Sequence, residues 1–236
     1  MARLTELDWR QTPLGEISLR RRLDPVLQVD VYEVKLGDEF LMSSLFTVAE
    51  VELARLGLAA VHGAGLDVVV GGLGLGYTAR AALTDPRVRS LHVVEVLDAV
   101  IGWQRDGVLP YAAELTGDPR TCLVHGDFFA LVAAGSPLGG GGARSDAILV
   151  DIDHSPRDVL HPHHGRFYEP AGLRQLTGQL APDGVFALWS NDAPDASFLS
   201  VLRSVFAQAE AHVVAFPNFL IDGTSRSTIY VAQTPQ

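Results

Sequence analysis

Apolar and polar positions change rhythm near residue 43. Before it, Val29-Asp30-Val31-Tyr32-Glu33-Val34-Lys35-Leu36 alternates with period two, and so does Glu16-Ile17-Ser18-Leu19-Arg20 ahead of a Leu23-Asp24-Pro25 turn. Alternation bounded by turn residues predicts a small antiparallel β unit over residues 1–42, closed by Gly37-Asp38. After it the period lengthens. Leu45, Val48, Val51 or Glu52, and Leu56 recur at helical spacing, which predicts a helix over about 45–58 capped by Ser43 or Ser44. From Asp67 onward, short apolar runs alternate with helical stretches. Strands are expected at 67–71, 91–95, 121–125, 146–151, 184–190, 211–216 and 227–233. Helices are expected near 76–84, 98–115 (broken at Gly107 and Pro110), 127–134, 168–180 and 194–209. Strand and helix in alternation predict a Rossmann-like, mainly parallel α/β sheet over residues 43–236. The Asp222-Gly223-Thr224 turn joins the last two strands in a hairpin at the sheet edge.

The first strand of that domain, Leu66-Asp67-Val68-Val69-Val70, runs into Gly71-Gly72-Leu73-Gly74-Leu75-Gly76 and then a helix-forming stretch. Glycines at such a turn allow positive φ and let backbone approach a ligand closely. The next apolar run, Leu91-His92-Val93-Val94, ends in Glu95. An acid about 20 residues past the glycines, at a strand end, is how nucleoside-binding α/β folds hold ribose hydroxyls. The spacing Gly72-x-Gly74-x-Gly76 differs from the dinucleotide fingerprint and is similar to the first motif of class I S-adenosylmethionine-dependent transferases. Gly71, Gly72, Leu73, Gly74, Gly76, Glu95 and Val96 are therefore candidate donor-binding residues.

Ligands of open α/β sheets bind outside the carboxyl ends of the strands, which nominates further residues. Asp127 and Phe128 follow the third strand; the carboxylate suits an adenine amino group and the ring suits the base, a role favoured over capping of the next helix, which Asp127 can serve as well. Asp151 ends the fourth strand, where an acid can orient a donor or accept a proton, and Asp153 and His154 follow at once. Trp189, Asn191 and Asp192 follow the fifth strand and are candidates for the acceptor pocket. The stretch from His154 to Phe167 carries His154, His161, His163 and His164, but not the acid partners and fixed spacing of a zinc site. It is expected to be a mobile lid rather than a metal centre, with little to anchor it when empty.

Composition narrows the partners. A net charge of −10 leaves no basic surface for nucleic acid or anionic membrane, and Arg20-Arg21-Arg22 reads as a solvated face. Hydrophobic residues make up 47% of the chain, enough for a full core. The single cysteine, Cys122, lies in an apolar strand and excludes a disulfide framework. No apolar run approaches the ~20 residues of a membrane span. Met1 to Asp8 lacks the apolar region of a signal peptide, so a cytoplasmic location is expected. Gly135 to Gly142 reads as a flexible surface connection.

Taken together, the order of these features resembles the catalytic domain of spermidine synthase and its relatives: a small amino-terminal β unit, Asp38-Glu39-Phe40, the glycine motif, Glu95, Gly126-Asp127, Asp146 to Asp151, a gate-like loop, Phe167-Tyr168-Glu169, and Leu180 to Val185. The similarity covers nearly the whole chain. It implies a class I fold with a seven-stranded sheet, a homodimer, and a site in which Glu95 meets the ribose, Asp127 the adenine and Asp151 the reacting centre. Against the polyamine-making members, Gly74 stands where an aspartate holds the donor's aminopropyl ammonium. Met42 and Ser43 stand where a tyrosine and a histidine face the diamine, and His154 where a second acid sits. A cationic diamine in a partly buried cleft needs carboxylate partners. The resemblance with these departures favours methyl transfer from S-adenosylmethionine to a small-molecule acceptor, with Asp151 orienting and His154 as a candidate base. The alternatives are aminopropyl transfer from decarboxylated S-adenosylmethionine, a divalent-metal O-methyltransferase, and a non-catalytic nucleoside-binding protein.

Overall fold

The computed structural model describes residues 4–236. Met1, Ala2 and Arg3, the start of the segment read above against a signal peptide, lie outside the described residues. Four strands open the chain: β1 (Leu4–Thr12), β2 (Gly15–Leu23), β3 (Asp30–Leu36) and β4 (Glu39–Ser43). They pair antiparallel in chain order. Alternation places Ile17 and Leu19 of β2, with Val34 of β3 opposite Leu19, on one buried face, while Val31 is buried on the other face; each is at most 1% exposed. Gly37-Asp38 does not close this unit but turns the chain into β4. The strand β1 was illegible because its exposure does not alternate cleanly and a bulge interrupts its pairing between Glu6 and Asp8.

The following helix, α1 (Val48–Ala59), starts later than its apolar spacing suggests. Neither Ser43 nor Ser44 caps it. Ser43 ends β4, the Ser44 hydroxyl accepts the Tyr32 N–H at 2.9 Å, and the cap residue is Thr47, without a side-chain bond.

The second sheet has seven strands: β5 (Leu66–Gly71), β6 (Val88–Glu95), β7 (Thr121–His125), β8 (Ser145–Val150), β9 (Leu180–Ser190), β10 (Gln208–Asn218) and β11 (Gly223–Gln233). Their spatial order is β10-β11-β9-β8-β5-β6-β7, with β7, β6, β5, β8 and β9 parallel and the β10–β11 hairpin antiparallel at one edge. This is the Rossmann-like fold expected from the sequence. Helices α2 (Tyr77–Leu83), α3 (Asp98–Arg105), α4 (Ala112–Gly117), α5 (Phe128–Ala133), α6 (Pro170–Thr177) and α7 (Ala196–Arg203) fill the connections. Because both faces are covered, the central strands are apolar on both sides. Val68, Val70, Leu91, Val93 and Leu149 pack on one core, and Val69, Val94, Ile148, Val150 and Phe186 on the other.

Cys122 lies in β7, the strand read for it, which stands at the sheet edge and leaves it exposed. One detail corrects the sequence reading. The glycine-rich connection buries Leu138 and makes a short 3-10 turn over Gly140–Gly142, so part of it is packed. Among the described residues no helix is long and apolar enough to cross a membrane.

The amino-terminal sheet is tied to the domain through α3. Trp103 of α3 is buried, and its Nε1–H donates to Asp8 of β1 at 2.6 Å.

Candidate active site

The glycine turn after β5 is built against the end of β8. Gly72 has φ +93°, and a Cβ there would stand 2.2 Å from the Asp151 carbonyl oxygen, so neither the conformation nor the space admits a side chain. Gly74, at φ +49°, lies under Met42: a Cβ would meet the thioether sulfur at 2.8 Å. Glu95, at the end of β6, holds this turn in place. Its Oε2 accepts the Leu73 N–H at 2.9 Å and its Oε1 accepts the Leu97 N–H at 2.8 Å. Burial pushes the Glu95 carboxyl up, while the backbone N–H groups of Leu97, Leu73, Gly74 and Val96 pull it down. A carboxylate has about four acceptor positions, so two backbone bonds leave room for hydroxyl donors.

A cavity of about 810 Å³ opens above the turn. Gly72, Gly74, Glu95, Val96, Asp127, Phe128 and Asp151 all line it, so the structure brings most of the expected donor-binding set to one place. Met42, Leu41, Leu36 and Leu14 roof it from the amino-terminal sheet, and His161, His163, His164 and Arg166 close it from above β8. Gly71, Leu73 and Gly76 shape the turn without lining the cavity. Asp127 caps α5, accepting the Ala130 N–H at 3.1 Å, and the buried Phe128 ring packs on Gly71, where a Cβ would stand 2.8 Å from it.

Asp151 is half-buried, and its Oδ2 accepts the Thr78 hydroxyl of α2 at 2.7 Å. The same hydroxyl lies 3.4 Å from the carbonyl of Glu50 in α1. Burial pushes the Asp151 carboxyl up to about 6, against the pull of Thr78. Burial, and then the Asp151 charge, push Glu50 up to about 8. Two such acids titrate as a pair, in two steps that belong to both. Glu50 did not emerge as a candidate from the sequence, yet it left a signal there. Glu52 has Arg55 one turn on, whereas Glu50 has only Leu53 and Ala54, so its charge has no partner on its own helix.

The structure does not bring the other candidates to the cavity. Asp153 is fully buried behind it. Its Oδ1 accepts the Leu160 N–H and His164 Nδ1, each at 2.8 Å, and its Oδ2 accepts the Tyr168 hydroxyl at 2.8 Å. His154 turns to Glu39 of β4, Nε2 to Oε1 2.9 Å. Trp189 packs on the first core. Asn191 donates its N–H to the His154 carbonyl at 2.7 Å, and the Asp192 carbonyl accepts the Thr228 hydroxyl at 2.6 Å. Asn191 and Asp192 therefore support the His154 segment and the β9–β11 end rather than Asp151.

These contacts overturn the expectation of an unanchored lid. Residues 162–168 form a 3-10 turn, the His164 ring lies tilted against Phe129 with ring centroids 4.0 Å apart, and Arg157 bonds Asp195 at 2.5 Å. The anchor is the buried carboxylate of Asp153, which hydropathy of the loop alone does not reveal. Among the described residues no group of three or more His, Cys, Asp or Glu side chains stands together as a metal-ligand set.

No protein-family model matches the chain. It is 28% identical over 164 residues to polyamine aminopropyltransferase 2 of Pseudomonas aeruginosa, a match covering 65% of this chain and 43% of the relative. It is 30% identical over 133 residues to putrescine N-methyltransferase 4 of Nicotiana tabacum, covering 56% of this chain and 31% of the relative. The matches thus span less than half the length of these curated relatives. The crystal structure of spermidine synthase from Thermotoga maritima superposes with a TM-score of 0.72 at 17% identity, covering 97% of this chain and 72% of that one. The fold is that of the class I S-adenosylmethionine-dependent transferases. In fold the chain resembles spermidine synthase, and part of its sequence is similar to enzymes named for aminopropyl and for methyl transfer to polyamines.

Proposed function

We propose that the chain binds S-adenosylmethionine in the 810 Å³ cavity and transfers its methyl group to a small-molecule acceptor. The glycine cradle leaves space that any Cβ would fill, and Glu95 keeps acceptor positions free for ribose hydroxyls. When bound, the donor supplies a sulfonium-activated carbon, to which the acceptor's lone pair bonds as the carbon–sulfur bond breaks. The chain's own part is placement: Glu95 and the turn hold the nucleoside, Asp127 and Phe128 its base, and Asp151 the cationic end. Proximity of this kind supplies most of the acceleration of a displacement. Asp151 is the group placed to take a proton from the acceptor, since His154 is engaged with Glu39.

The observation that carries methyl over aminopropyl transfer is Met42. Its sulfur occupies the space directly above Gly74, where an aspartate would be needed to hold an aminopropyl ammonium. A different observation favours the second reading: Asp151 stands at the cavity wall with no cation paired to it among the described residues, a setting suited to an ammonium. The co-product decides between them. Methyl transfer leaves S-adenosylhomocysteine, and aminopropyl transfer leaves 5′-methylthioadenosine. Chromatography after incubation with each donor and a panel of small amines should show the first; accumulation of the second from the decarboxylated donor overturns the methyl reading. A homodimer belongs to this reading, and light scattering on the purified chain measures it.

A further inference from the structure

Two imidazoles on the cavity wall have their hydrogen-bonding sense fixed from behind, in opposite directions. His164 lines the cavity, and its Nδ1 lies 2.8 Å from Oδ1 of the buried Asp153. That carboxylate also accepts the Leu160 N–H on Oδ1 and the Tyr168 hydroxyl on Oδ2, each at 2.8 Å. Burial, and then the charge of Asp153, push the Tyr168 hydroxyl up, so it keeps its proton and donates. With every other partner a donor to Asp153, the His164 contact is Nδ1–H donating to the carboxylate. In the neutral ring this leaves a lone pair on Nε2. Among the described residues nothing bonds that nitrogen. His161 also lines the cavity, its ring centroid 5.8 Å from that of His164. Its Nδ1 accepts the His163 N–H at 3.3 Å, so in the neutral ring the proton sits on Nε2, a donor.

The pair stands at the end of the cavity where the donor's base belongs in the proposed function. The His164 ring is 4.0 Å from that of Phe129, in the first turn of α5, the helix that Asp127 caps and Phe128 begins. An acceptor on His164 beside a donor on His161 is a pattern with a definite complement. Adenine offers an amino donor next to a ring-nitrogen acceptor. Hypoxanthine carries an oxo acceptor in place of that amino group and would set it against the Nε2 lone pair. An imidazole free to exchange tautomers would serve either base, but Asp153 denies His164 the exchange. Anchoring the loop needs only the Nδ1–H, so the free Nε2 on the cavity side is left for a ligand. We propose that His164 Nε2 accepts the exocyclic amino group of the donor's adenine, with His161 Nε2–H donating to the ring nitrogen beside it, so that the two histidines select adenine nucleosides. This rests on the donor reading given above.

The test compares S-adenosylhomocysteine with S-inosylhomocysteine, which differ only in the base. Calorimetry on the wild-type chain should show the adenine compound binding at least about tenfold more tightly, as a site built around a ligand N–H rejects the analogue without it. His164→Phe keeps a ring against Phe129 and removes both nitrogens. The ratio of the two affinities should then fall by about three- to tenfold, the worth of one hydrogen bond. Whatever discrimination Asp127 supplies stays in the variant, so the fall belongs to His164. A purely structural role would weaken both compounds alike and leave the ratio unchanged, which overturns the proposal. Equal binding of the two compounds by the wild type overturns it as well. Should His164→Phe not fold, nitrogen-15 resonances of the wild-type imidazoles decide. His164 should carry its proton on Nδ1, and its Nε2 resonance should move with S-adenosylhomocysteine. A proton on Nε2 of His164 in the empty protein, or an Nε2 resonance that the bound nucleoside leaves in place, rejects the assignment. If neither compound binds the wild type, the donor reading itself fails and the histidine proposal falls with it; if S-adenosylhomocysteine binds without preference over the inosine compound, this proposal fails alone.

Discussion

Asp153 Oδ1 accepts a hydrogen bond from His164 Nδ1 at 2.8 Å, across eleven residues of a segment that covers the cavity. The same carboxylate receives the Leu160 N–H and the Tyr168 hydroxyl, so one buried acid fixes three points of the loop. Removing it strands three donors, each worth about 1–3 kcal/mol when left unpaired and buried. Asp153→Ala should lower the melting temperature and speed protease cleavage between residues 154 and 165, and added S-adenosylhomocysteine should slow that cleavage less than in the wild type. A cleavage pattern identical to wild type would mean that the loop is held by something else.

Glu95 holds the turn, and in the proposed function it also meets the ribose. Glu95→Gln places an NH2 group where one oxygen now accepts a backbone N–H, so a bond becomes a donor–donor contact. Charge-assisted bonds of this type contribute about 1.5–3 kcal/mol each. S-adenosylhomocysteine should bind at least about tenfold more weakly in calorimetry. Unchanged affinity in a folded variant removes Glu95 from the ribose.

Gly72 and Gly74 separate two kinds of clash. A side chain at Gly72 meets the backbone oxygen of Asp151 at 2.2 Å, which cannot move without disturbing β8. Gly72→Val should abolish nucleoside binding and also lower stability, a stronger outcome than a purely local turn would give. At Gly74 the neighbour is the flexible Met42 side chain, so Gly74→Ala should fold with only a modest loss from its positive φ, and Met42→Ala should recover part of any loss in binding. Equal damage from Gly72→Val and Gly74→Ala would contradict this division.

The empty protein should lose stability as pH rises from about 5 to about 8. Glu50 and Asp151 both have carboxyls raised by folding, so in that window the native state holds more protons than the unfolded chain, and the slope of unfolding free energy with pH is negative. Thermal melts across the window should show the decline, and Glu50→Gln should flatten it. A melting temperature that climbs over this range contradicts the raised pair.

How legible all this was depends on the range of the interactions. Strand and helix alternation, set by side chains two or four residues apart, located β5 to β11 within a few residues. The strand β1 and the true start of α1 were missed because they depend on distant partners: Trp103 bonding Asp8, and Ser44 bonding Tyr32. In the candidate site, Glu95 and the glycines were readable because the turn is local. Asp153 and His154 were read as facing a substrate from their position after a strand, but Tyr168, His164 and Glu39, far along the chain, turn them elsewhere. Glu50 lies 101 residues from Asp151, and only the missing partner on its own helix marked it.

Donor preference tests the central claim most directly. Competition calorimetry of S-adenosylmethionine against its decarboxylated form, with putrescine turnover followed in parallel, compares the two transfers on one protein. The proposed reading rests on Gly74 and the Met42 side chain over it standing where an aspartate would hold an aminopropyl ammonium. The account predicts tighter binding of S-adenosylmethionine and no spermidine from putrescine. Tighter binding of the decarboxylated donor, with putrescine consumed, would contradict it.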